Sequence, residues 1–175
     1  MSDRPQYSIW LLPRADHEAA LTATVSRLST ELGGPFFAPH VTIQGDIALT
    51  PDQLRPTLAR IAAQTPVQHW PVALVDGTPH FFRCLFLRFD LHQAFQELQA
   101  ATQLLTDTAH GLSPFPHLSL AYGDALEAYA RERHLLAGDF EEQIIVFDRL
   151  AVCHSSSHVP IEDWVVLEQL PLAHD

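Results

Sequence analysis

The chain has 175 residues, is 47% hydrophobic, and carries 10 Lys and Arg against 21 Asp and Glu, a formal charge of −11. That size and hydrophobicity suit one domain with a sizeable core, or two small lobes sharing one. The acidity excludes the basic surface that long nucleic acid or an anionic membrane requires, so any anionic ligand must find positive charge or hydrogen-bond donors locally.

Tyr7 to Leu12 is a short apolar run stopped by Pro13, a strand. From Ala15 to Leu32, Leu21, Val25, Leu28 and Leu32 recur at helical spacing, and Gly33-Gly34-Pro35 ends the helix. His40 to Gly45 alternates as a strand. Thr50-Pro51-Asp52 opens a helix to about Gln64, with a cap, a proline at the first position and an acidic first turn. Val67 to Val75 and Phe81 to Phe89 read as strands around the turn Asp76-Gly77-Thr78, a hairpin. A helix follows from Leu91 to about Ala109, then a strand from His117 to Tyr122 and a helix from Asp124 to Leu136, stopped by Gly138. Phe140 to Val152 and Trp164 to Leu170 close the chain as strands, with Ser155-Ser156-Ser157 a loop between them. The order predicts an α+β fold: residues 1–175 as a single domain of two lobes, pseudo-two-fold, with two mainly antiparallel sheets facing a central cleft and helices outside.

Two segments repeat. Phe37-Ala38-Pro39-His40-Val41-Thr42-Ile43-Gln44-Gly45-Asp46 is echoed by Phe115-Pro116-His117-Leu118-Ser119-Leu120-Ala121-Tyr122-Gly123-Asp124. A third Pro-His pair, Pro79-His80, lacks the hydroxyl residue that follows the other two. On a strand, residues two apart share a face. His40 therefore stands with Thr42, and His117 with Ser119, while Val41, Ile43, Leu118 and Leu120 turn to the core. If the strands lie side by side, two imidazoles and two hydroxyls converge on one cavity. Imidazole titrates near neutral pH, so one ring can take a proton from water while the other gives one to a leaving oxygen. The hydroxyls can hold the non-bridging oxygens of a phosphate. That division of labour uses no metal and no cofactor.

The doubled His-x-Thr/Ser signature resembles the two-histidine phosphoesterase superfamily, and most closely its cyclic phosphodiesterase branch. Ser8-Ile9-Trp10-Leu11 and Phe82-Arg83-Cys84-Leu85-Phe86-Leu87 extend the resemblance along most of the chain. It implies a bilobal fold and a hydrolase that opens ADP-ribose 1″,2″-cyclic phosphate and nucleoside 2′,3′-cyclic phosphates, leaving the 1″- or 2′-phosphate. It also implies a role in RNA processing, a monomer with a small-molecule partner, His40 as acid and His117 as base. Thr42 and Ser119 become phosphate ligands, with Tyr122, Trp10 and Phe82 as further substrate contacts. Tyr122 lies at an odd offset from His117, so strict alternation turns it away from the cavity unless a bulge intervenes. Two rivals stay open: a 2′,5′-RNA ligase or 2′,5′-phosphodiesterase of the same superfamily, and a non-catalytic nucleotide sensor.

Trp10, Phe37, Phe82 and Trp164 are either base-stacking rings or core. Arg83 is either a phosphate contact or a surface residue. Cys153, His154 and His158 have a spacing that a helix could turn to metal binding, but they sit in a loop-like stretch; the resemblance sets the neighbouring loop beside the cleft. The plant members carry extra disulfide cysteines, which Cys84 and Cys153 do not match. Two cysteines read as buried free thiols of a reducing compartment. The first seven residues hold no apolar signal core, and no apolar run approaches the ~20 residues of a membrane span. The expectation is a soluble cytoplasmic protein.

Overall fold

The computed structural model describes residues 4–174; Met1 to Asp3 of the N-terminal reading lie outside them. Seven strands and four helices follow in the order β1 (Tyr7–Pro13), α1 (Ala15–Leu32), β2 (Val41–Ile47), α2 (Pro51–Gln64), β3 (Gln68–Asp76), β4 (Leu85–Phe89), α3 (Gln93–Thr106), β5 (His117–Ala121), α4 (Leu126–Phe140), β6 (Ile144–His154) and β7 (Val165–Pro171). No described helix is long and apolar enough to cross a membrane.

The helix ends follow local chemistry. Gly33 takes the left-handed conformation at φ 74° and its N–H returns to the Ser29 carbonyl at 3.0 Å, closing α1. At the start of α2 the Thr50 N–H donates to the Gln53 side chain at 2.9 Å, beside Pro51 in the first turn. Most boundaries shift by one to three residues from the sequence reading, and three of the differences have a clear physical reason. Phe81–Arg83 form a 3-10 turn, so β4 begins at Leu85 and the β3–β4 connection is no tight hairpin turn. α4 runs through Gly138 to Phe140: a helical glycine costs about 1 kcal/mol relative to alanine, and Leu136, Ala137 and Phe140 packed on the core outweigh it. β6 starts at Ile144, after a bend in which Glu142 adopts φ 67°.

All strand pairs are antiparallel. Long strand β6 belongs to both lobes. Its first part, Ile144 to Phe147, pairs with β3, which pairs with β4 and β4 with β5. Its second part, Arg149 to His154, lies between β1 and β7, and β1 pairs with β2. The two expected sheets are thus β2-β1-β6-β7 and β5-β4-β3-β6. They meet again where β2 touches β5 through the single register pair Val41–Leu118, so the sheet closes on itself. The pseudo-two-fold shows in the helices: α1, which links β1 to β2, packs on β5, and α3, which links β4 to β5, packs on β2. One apolar cluster joins both lobes, from Ile9 and Val41 to Leu118, Phe89 and Phe147.

Candidate active site

The Val41–Leu118 pair sets the site. Both side chains are fully buried. Directly opposed residues of an antiparallel pair point to the same face. Residues on either side of this pair therefore face away from the core, and the register sets His40 across from Ser119 and Thr42 across from His117. Because the pairing is a single pair long, the strands splay and leave a cavity of about 240 Å³. That is just below the ~300–1,000 Å³ of sites for drug-sized ligands, and suits a small phosphate ester. His40, Thr42, His117, Ser119, Trp10, Phe82 and Tyr122 all line it.

The imidazoles are held alike. His40 Nδ1 lies 2.7 Å from the Ala38 carbonyl, and His117 Nδ1 lies 2.9 Å from the Phe115 carbonyl. A carbonyl only accepts, so Nδ1 carries the hydrogen in each ring and Nε2 is left with its lone pair free. The carbonyl two residues before each histidine thus fixes the same tautomer in both rings. Burial pushes the His40 imidazole down to about 4, against the Ala38 carbonyl, which raises it, and with His117 repelling a second proton. Burial also pushes His117 down to about 4; the Phe115 carbonyl opposes, and Arg83, Arg88 and His80 add repulsion. The two rings differ in their neighbours. Trp10 lies flat on His40, centroids 3.6 Å apart and planes 6° apart, while His117 meets Phe115 and Phe86 at an angle.

The Ser119 hydroxyl donates to the Phe82 carbonyl at 3.1 Å. That bond joins β5 to the 3-10 turn, and the oxygen keeps its accepting lone pairs. Tyr122 does turn into the cavity. Leu85 pairs with Ala121 but Phe86 with Ser119, so Leu120 is an extra residue on β5 that resets the alternation. Tyr122 stacks on Phe37 at 3.8 Å, and burial holds its phenol well above the usual range. Phe37 backs Tyr122 and His40 from the core rather than lining the cavity. Trp164 and Phe82 stack at 6.2 Å, forming with Trp10 and Tyr122 an aromatic wall.

Sequence reasoning set the loop after His154 beside the cleft but missed other lining residues. Ser8, Gly45, Asp46, Gly111 and Ser113 line the cavity, together with the loop 155–157. Asp46 accepts from the Ser157 N–H at 2.8 Å and its hydroxyl at 3.0 Å, tying that loop to β2. The i, i+2 relation of Ser8 to Trp10, and the Gly-Asp shared by both repeats, were the available signals. Cys153 is buried beside Trp10, Leu12 and Ala151, and among the described residues no three His, Cys, Asp or Glu side chains cluster as a metal site. Burial pushes the Cys84 thiol up to about 11, and the thiol donates to the Ala121 carbonyl at 2.9 Å. Arg83 lines the cavity.

No protein-family model matches the chain. A cyclic phosphodiesterase of Arabidopsis thaliana is 28% identical over 166 residues, 90% of each chain. The structure superposes on TT0787 of Thermus thermophilus with a TM-score of 0.62 at 14% identity, covering 97% of this chain and 99% of that one. It also superposes on Escherichia coli LigT complexed with phosphate, TM-score 0.57 at 12% identity, covering 98% and 99%. These structures share its fold.

Proposed function

We propose that this chain, a member of the two-histidine phosphoesterase superfamily, is a phosphodiesterase that opens cyclic phosphates on small ribose compounds. One observation carries the reading: two imidazoles, each held at Nδ1 by the carbonyl two residues back, line one phosphate-sized cavity together with the hydroxyl residues of both motifs. The 28% identical Arabidopsis relative bears the name cyclic phosphodiesterase. Substrates in this reading are ADP-ribose 1″,2″-cyclic phosphate and nucleoside 2′,3′-cyclic phosphates, the cyclic esters that RNA processing leaves behind.

The surroundings divide the roles. The indole face of Trp10 stabilises an imidazolium at His40. Arg83, Arg88 and His80 disfavour one at His117. Burial lowers both rings alike to about 4, so the assignment of His117 as the base and His40 as the acid rests on this contrast in neighbours and on the family resemblance. A water proton passes to His117 Nε2 as the water oxygen bonds to phosphorus. The bond from phosphorus to one ring oxygen breaks, and that oxygen takes the proton of His40 Nε2. Breaking the bond to O3′ leaves a 2′-phosphate; breaking the bond to O2″ leaves a 1″-phosphate. Thr42 donates to a non-bridging oxygen, and Ser119 does so after releasing the Phe82 carbonyl. Trp10, Phe82 and Tyr122 form the wall against which a base or sugar lies. The cavity and the charge of −11 favour a small free ligand, acted on by a monomer in the cytoplasm, over long RNA.

The deciding experiment incubates the protein with both cyclic ester types and assigns the products by phosphorus NMR. Formation of the 2′- and 1″-phosphates supports the reading. Cleavage of 2′,5′-linked dinucleotides with cyclic esters untouched replaces it with the sister activity. Tight binding without turnover makes the protein a sensor.

A further inference from the structure

Six serines line the cavity, and all but one of their hydroxyls are engaged. Ser8 donates to the Ser155 carbonyl at 2.8 Å, Ser113 to the Phe115 carbonyl at 3.0 Å, and Ser119 to the Phe82 carbonyl at 3.1 Å. Ser156 accepts from the His158 N–H at 3.0 Å, and Ser157 donates to Asp46 at 3.0 Å. Ser155 is the exception. It is 1% exposed, and its Oγ is buried with no partner among the described residues. His92 Nε2 and Arg149 Nε are also buried and unpaired, but neither residue lines the cavity.

The Ser155 backbone is already committed. Its N–H donates to the Gln6 carbonyl at 2.9 Å, and its carbonyl takes the Ser8 hydroxyl. Only rotation about Cα–Cβ is left to the hydroxyl. A buried hydroxyl without a bond costs stability, and such groups are nearly always paired. A ligand in the cavity would supply the missing acceptor.

Place and charge narrow that acceptor. Thr42, which holds the phosphate in the proposed mechanism, lies in one cross-strand row with Trp10 and Ala151. Ser155 is four residues beyond Ala151, about 13 Å along the sheet, so it meets the far end of the ligand and not the phosphate. Asp46 sets a carboxylate on the same polar wall, which disfavours an anion there. The facing wall of Trp10, Phe82, Tyr122 and Trp164 suits a flat ring. We infer that Ser155 is a specificity-determining residue whose hydroxyl donates to a neutral ring nitrogen or carbonyl oxygen of a heterocycle. This rests on the phosphodiesterase reading and deepens it.

The test measures kcat/KM for uridine and adenosine 2′,3′-cyclic phosphates and for methyl riboside 2′,3′-cyclic phosphate, which lacks the heterocycle. Wild type should prefer at least one nucleoside ester to the methyl riboside. In Ser155→Ala that preference should shrink about three- to tenfold, the size of one neutral hydrogen bond, while the rate on the methyl riboside holds. Unchanged ratios overturn the inference. So does an equal fall in all three rates, which would make the hydroxyl structural. Ser155→Ala should also melt no lower than wild type, because no bond within the fold is lost; a drop of several degrees in Tm would contradict this. Isothermal titration separates the inference from the hydrolase reading. The preferred nucleoside's 2′-phosphate should bind Ser155→Ala about three- to tenfold more weakly, and inorganic phosphate should bind it as tightly as wild type. That result without any turnover would sink the hydrolase alone; turnover with Ser155-independent ratios would sink only the contact to the heterocycle.

Discussion

Val41 and Leu118 are cross-strand partners and form the single register pair between β2 and β5. They convert a sequence repeat into a site, because the residues flanking a shared core-facing pair must share the opposite face. In the proposed mechanism His40 and His117 act on one phosphate as a unit. His40→Ala and His117→Ala should each lower kcat by about 10²–10⁴-fold. The double variant should be little worse than the poorer single one, since groups that work together are not additive. Circular dichroism should show all three folded. Wild-type turnover in His40→Ala would remove the proposed mechanism.

The pH profile follows from the shifted imidazoles. Both sit near 4 in the free protein, and each repels a second proton on the other. The singly protonated form is therefore most populated on the acid side of the ordinary value of about 6.5. kcat/KM, which reports the free enzyme, should be bell-shaped with its optimum well below 6.5. An anionic phosphate bound between the rings favours the imidazolium, so the alkaline limb of kcat should lie at higher pH than that of kcat/KM. Trp10→Leu, which strips the ring from His40, should move that limb down, and Trp10→Phe should move it less. A profile flat from pH 4 to 8 would contradict two-imidazole chemistry.

The same shifts tie stability to pH. The folded rings titrate near 4, and an unfolded chain titrates them near 6.5, so as pH falls the unfolded state takes up these protons first. The neutral rings' contribution is complete above about 6.5 and is lost progressively down to about 4, up to about 3 kcal/mol each. Thermal unfolding of His117→Gln should therefore lose less stability than wild type between pH 7 and pH 4. Equal losses would mean that His117 is not held neutral by the fold. Saturating inorganic phosphate should raise the wild-type midpoint more at pH 5 than at pH 8.

What was legible in the sequence was what is local. Gly33 and Thr50-Pro51 fix helix ends by backbone chemistry within a few residues, and the two motifs fix faces by alternation. Ring closure was not legible, because it depends on one strand, β6, serving both sheets. Most of the polar wall escaped for the same reason: Ser8 donates to the Ser155 carbonyl at 2.8 Å across 147 positions of chain. Tyr122 shows the limit of alternation. One extra residue, Leu120, reverses its face, and only the register with Phe86 reveals it.

Gly111 tests whether the polar wall is needed. Its φ is 77°, and a Cβ there would fall on the Gly45 carbonyl oxygen. The contact is a fixed one, since the Gly45 N–H donates to the Gly111 carbonyl at 2.7 Å. Buried Gln44 holds the same loop through the Thr108 and His110 carbonyls, at 3.1 and 2.8 Å. Gly111→Ala must therefore both strain its own backbone and push the loop off β2. The loop continues to Ser113, whose hydroxyl lies 3.4 Å from His117 Nδ1, so the displacement reaches His117. We expect a loss of about 2–3 kcal/mol, read as a fall of roughly 5–10 °C in Tm, with kcat/KM lower by tenfold or more. Gly138→Ala is the control: a Cβ there meets nothing within 4 Å on helix α4. It should stabilise by about 0.5–1 kcal/mol and leave kcat/KM unchanged. Full activity in Gly111→Ala would show that the loop from Gly111 to Ser113 plays no part in holding His117.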